Sequence, residues 1–76
     1  MNIGISKAID HFGSITNTAK AVGVSIQAIR FYRDERTPCA EKVAVKIEEL
    51  TGISRKETRP YDWWEIWPEL VDQEDS

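Results

Sequence analysis

The sequence predicts a small all-α domain of five short helices, residues 1–60, followed by an irregular tryptophan-rich tail, residues 61–76. Three observations predict it. Apolar residues recur at helical spacing over most of the first 58 positions, and alternating apolar/polar runs are nearly absent. Serine, threonine, glycine and proline sit at the ends of those stripes, where caps and stops belong. The chain has only 76 residues, 41% of them hydrophobic, enough for one modest core and too apolar for wholesale disorder.

The first helix spans about residues 4–12. Ile5, Ala8, Ile9 and Phe12 fall at i, i+3, i+4 and i+7, which is one face of an α-helix. Ser6, Lys7, Asp10 and His11 take the outer face, and Gly13 ends the run. The second helix, about 15–22, starts at the potential cap Ser14 and turns Ile15, Ala19 and Val22 to one side. Gly23 ends it, because the sharp turn needs positive φ. Val24 points inward. Ser25 can cap the third helix, about 25–34, whose inner stripe is Ala28, Ile29 and Tyr32.

The fourth helix is expected over about 38–50. Thr37 is a suitable N-cap and Pro38 suits a first helical position. Ala40, Val43, Ala44, Ile47 and Leu50 form its inner stripe, and Gly52 closes it. Ser54-Arg-Lys-Glu57 matches a capping box for a fifth helix over about 54–58. Pro60 stops it by disfavouring helical geometry at Arg59. In the tail, Tyr61, Trp64 and Trp67 are expected to lie along the helices, with Trp63 facing away. Trp63, Trp64 and Trp67 complete the core or form a dimer interface. The last five or six residues are acidic and expected to fray.

Ala19, Gly23 and Ile29, with Ser25 at the cap, have helix-turn-helix spacing. A helical hairpin with a glycine corner and no DNA role would share part of this pattern. If the motif binds DNA, the third helix offers Ile26, Gln27, Arg30 and Phe31 to a groove. Gln27 can pair bidentately with adenine through N6 and N7, and Arg30 can reach O6 and N7 of guanine. Arg30 can instead bind phosphate, or Asp34 at i+4. Lys20, Arg33 and Arg36 are candidates for phosphate contacts, as are Thr16, Asn17 and the start of the second helix.

A net charge of −3 is unusual for a DNA binder, but the charge is unevenly distributed. Residues 1–36 carry five basic and three acidic groups, and residues 37–76 carry five basic and ten acidic. From Tyr61 onward there are six acids and no base. Screening over ~8–10 Å lets a positive half act independently of a negative tail.

No enzyme is expected. His11 has no second histidine or cysteine at metal-ligand spacing, so no metal and no cofactor is expected. Cys39 is the single cysteine, so no intramolecular disulfide can form. Placed in the first turn of the fourth helix, it is either a small buried side chain or a thiol of lowered pKa. No run approaches the ~20 apolar residues of a bilayer span, and Met1-Asn-Ile-Gly lacks the features of a signal peptide. A cytoplasmic location in a bacterial host, near the nucleoid, is expected.

Phe12-Gly-Ser-Ile-Thr-Asn-Thr-Ala-Lys-Ala-Val-Gly-Val-Ser-Ile-Gln-Ala-Ile29 resembles the helix-turn-helix of Cro repressors from lambdoid bacteriophages and related prophage regulators. The shared features are the Phe-Gly pair, the Thr-Ala-Lys run, Gly-Val at the turn and Ala-Ile in the recognition helix. The likeness covers about residues 3–67 and is specific over 12–38. It implies a lambda-repressor/Cro-like domain and a homodimeric repressor of a pseudo-palindromic DNA operator. It also implies base-reading places at Gln27 and Arg30, neighbouring exposed places at Ser25, Ile26 and Phe31, and phosphate contacts at Thr16, Asn17 and Lys20. The sequence departs from the family at Glu35, where glycine is frequent, and at the apolar Ile26 and Phe31. A second reading remains open: an antitoxin-like or adaptor protein that binds a protein partner through its tryptophan-rich tail.

Overall fold

A computed structural model describes residues 1–74, with side chains through Val71. Among the described residues there are seven helices and no strand: α1 Ile3–Phe12, α2 Ile15–Val22, α3 Ile26–Arg33, α4 Glu41–Thr51, α5 Arg55–Thr58, α6 Trp63–Ile66 and α7 Glu69–Glu74. α1 is the central element and touches α2, α3, α4 and α5. The core collects Ile5, Ala8, Ala19, Ile29, Cys39, Val43, Ala44, Ile47, Trp67 and Leu70. Ile9, Ile15, Val22, Val24 and Tyr32 pack against it.

The first three helices follow from their caps. Ser14 Oγ accepts from Asn17 N–H, and Ser25 Oγ accepts from Ala28 N–H. Asn2 caps α1 by accepting from Ile5 N–H at 3.0 Å. It is also buried and fastens three elements together. Its side-chain amide donates to Thr58 O at the end of α5, and its backbone N–H donates to Arg33 O at the end of α3, both at 2.8 Å. Gly4 lies where α5 crosses α1. A Cβ there would stand 2.6 Å from the backbone of Glu57 and Thr58.

Three expectations need correction. The fourth helix begins at Glu41, so Thr37 and Pro38 precede it and Ala40 is its N-cap, without a side-chain bond. The Arg59 guanidinium takes the Cys39 carbonyl, which holds this strip extended while Cys39 itself is buried. Leu50 is exposed, because the inner stripe of α4 ends at Ile47. The tail is not irregular: it forms α6 and α7, the latter running through Glu74. Residues 75–76 lie outside the described residues.

The tryptophans also divide differently from the expected strip. Trp67 is 9% exposed and joins the core with Leu70, and Trp63 is half-buried against it. Trp64 and Tyr61 face outward at 45% and 74% exposure. The division follows from α5. The Arg55 guanidinium lies 5.2 Å from the centre of the Trp67 ring, and the Lys56 ammonium lies 4.7 Å from that of Trp63. A cation over an aromatic face is attracted by the ring's quadrupole. Arg55 is held in turn by Glu48 of α4 at 3.0 Å. Burial opposes ionisation of Glu48, but its bonds from Arg55 prevail and lower its pKa.

Candidate nucleic-acid interface

α2 and α3 meet at a corner built by Gly23 and the Ser25 cap. Gly23 adopts φ 77, in the left-handed region, and its N–H returns to Ala19 O at 2.9 Å. The next N–H, from Val24, reaches the same carbonyl at 3.0 Å. Both bonds close on the Ala19 carbonyl, so the chain leaves α2 within two residues, and Ser25 caps α3 immediately afterwards. Ala19 is buried at the junction, where a small side chain lets the two helices approach.

At about 100° per residue, Ile26, Arg30, Gln27 and Phe31 span an arc of roughly 140° on α3. Ile29, Tyr32 and Ala28 lie on the opposite side. Burial follows that division. Ile29 is fully buried, and Ala28 and Tyr32 are half-buried. Gln27 and Arg30 are exposed, as are Ser25 and Ile26, and Phe31 is half-buried at the edge. Neither the Gln27 nor the Arg30 side chain is held by another described residue. Ser25 Oγ accepts the α3 cap bond, which leaves its hydroxyl hydrogen free to donate.

The expected phosphate contacts divide into three kinds. Thr16, Lys20 and Arg36 are exposed. Asn17 is exposed too, but its amide donates to Phe12 O at 3.0 Å and closes the end of α1. Arg33 is half-buried and bonded to Asp34 at 3.0 Å. That bond holds the Asp34 carboxyl below its ordinary range. Asp34 thus pairs with its chain neighbour Arg33 and leaves Arg30 available.

α3 ends in a Schellman motif. Arg36 N–H bonds Phe31 O at 3.0 Å, and Glu35 N–H bonds Tyr32 O at 3.2 Å. The residue at the left-handed position of that motif is usually glycine; here it is Glu35, with φ 59. Its carboxylate turns back on the protein. It accepts from the amino-terminal ammonium at 3.0 Å and from the Tyr61 hydroxyl at 3.1 Å. These two bonds, the ammonium first, lower the Glu35 pKa. Sequence reasoning found the unusual residue but not its partners, which lie 34 and 26 positions away. It also missed Asn2, although an asparagine just before an apolar helical stripe is a cap signal.

Cys39 is buried, precedes α4, and has its thiol pushed up to about 12, by burial first and against the nearby Arg59 charge. It is therefore a packing residue, not an activated nucleophile. His11 lies edge-on to Phe12 at 5.0 Å. Among the described residues no group of histidine, cysteine and acidic side chains is arranged to hold a metal. No helix there is long and apolar enough to cross a membrane.

Residues 5–66 match the family model described as Bacterial toxin YdaS. No curated protein and no solved structure matches the chain. The matched span runs from α1 through α6 and includes the whole α2–α3 corner and the Glu35 turn. The chain belongs to the YdaS toxin family.

Proposed function

We propose that this protein is a sequence-specific DNA-binding repressor of Cro-like type. In this reading α2 and α3 form its helix-turn-helix, and α3 reads the major groove. The observation that carries the reading is the outward arc of α3. Gln27 and Arg30 stand exposed there, beside a Ser25-capped start and a glycine corner. Gln27 is suited to adenine and Arg30 to guanine. Lys20, Arg36 and Thr16 supply phosphate contacts, and Arg33 joins them if its bond to Asp34 opens. Ser25, Ile26 and Phe31 complete the base-facing surface.

The protein acts as a homodimer, at least on DNA. One chain carries a single α3, and two such helices about 34 Å apart read half-sites one helical turn apart. Occupying promoter sites gives repression. The same act on host promoters gives the family's toxicity a route that needs no catalytic step.

Selection of duplexes from a random pool at two salt concentrations tests this. The expected result is a pseudo-palindromic site with a steep fall of affinity as salt rises, because bound phosphates release counterions. No enrichment at low salt would refute the proposal. The exposed Tyr61 and Trp64 support a second reading, in which the α6–α7 segment docks a protein partner, as in an antitoxin-like or adaptor protein. A stable protein complex without duplex binding would favour that one.

A further inference from the structure

We infer that Ile26 is a specificity-determining residue, reading the 5-methyl group of a thymine next to the adenine met by Gln27; this rests on the DNA-binding reading of α3. Ile26 is the first residue of α3 and is 40% exposed. The Ser25 cap fixes the helix start beneath it. Rotation about α3 cannot turn Ile26 inward without expelling Ile29, which is fully buried. Its β-branched side chain has little freedom at χ1, so it presents methyl groups in a set direction. It has no donor or acceptor and cannot read a polar base edge. Among the four bases, thymine is the one that places a methyl group in the major groove.

Position on the helix orders the readout. Ile26 and Gln27 share the first turn, and Arg30 lies roughly 6 Å further along the axis. That rise corresponds to one or two base-pair steps of ~3.4 Å. Each half-site is therefore expected to hold a thymine and an adenine for Ile26 and Gln27, with a guanine one or two steps on for Arg30. Phe31, half-buried at the far edge of the arc, is the less suited of the two apolar residues.

The test uses the duplex selected by the full chain, with each thymine replaced in turn by deoxyuridine, which lacks only the methyl. The expected result is a loss of about fourfold in affinity at one position per half-site, the scale of one buried methyl group. Ile26→Ala should bind the two duplexes equally while melting at the parent's temperature. Equal binding of thymine and deoxyuridine duplexes by the parent at every position would overturn the inference and leave α3 as the reading helix. So would discrimination that survives in Ile26→Ala. If no duplex is selected at all, the DNA-binding reading falls first and takes this inference with it.

Discussion

Glu35 combines a backbone liability with a side-chain compensation. Its φ of 59 places a Cβ where glycine is favoured, yet its carboxylate joins the amino terminus and Tyr61 to the end of α3. Because its pKa is lowered in the fold, this contribution is present above the ordinary carboxylate range. It is lost as pH falls through the depressed value. Glu35→Gly removes both the strain and the bonds and should change the melting temperature little. Glu35→Ala keeps the strain, loses the bonds, and should melt clearly lower than Glu35→Gly. Equal melting of the two would show that the turn is not strained. The same scale separates base contact from phosphate contact. Gln27→Ala should lose about 1–3 kcal/mol of discrimination at one operator position, whereas Lys20→Ala should weaken all sequences alike. Binding titrations across single-base operator variants check this, and uniform loss in Gln27→Ala would contradict it.

Elements here are joined by few but specific contacts. α1 and α5 cross at Gly4, with the Asn2 amide bonded to the end of α5 and Lys7 paired with Glu57. Alanine normally improves a helix interior relative to glycine by about 1 kcal/mol. At Gly4 the added Cβ meets backbone, which cannot swing away, so Gly4→Ala should destabilise the fold by about 1–3 kcal/mol in urea unfolding. A stabilised Gly4→Ala would mean that α5 does not sit against α1. The α6–α7 segment makes a second test. Trp67→Ala should cost about 3–5 kcal/mol. Trp64→Ala, at an exposed position, should change stability by less than about 0.5 kcal/mol. Comparable losses from the two would contradict the assignment of Trp67 to the core.

At the scale of the whole molecule, much of the helical body was legible because local signals agreed. The Ser14 and Ser25 caps, the Gly13, Gly23 and Gly52 stops and the Ile5–Ala8 stripe each act within a few residues. What was not legible depends on distant partners. Thr37-Pro38 read as a helix start, but Arg59, 20 positions away, holds the Cys39 carbonyl. Helical spacing in the tail did not show which tryptophan turns inward, since Arg55 and Lys56 select Trp67 and Trp63. The outward arc of α3 was readable from its own period, since Ile29 fixes the rotation. Its chemistry follows from the residue types, and its partner is the central claim. The most direct test is to titrate the labelled protein with its selected duplex and follow backbone and side-chain resonances by NMR. The largest shifts are expected at Gln27 and Arg30, with smaller ones at Thr16 and Lys20 and little change at Trp64. Shifts confined to residues 61–71, with α3 unmoved, would contradict it.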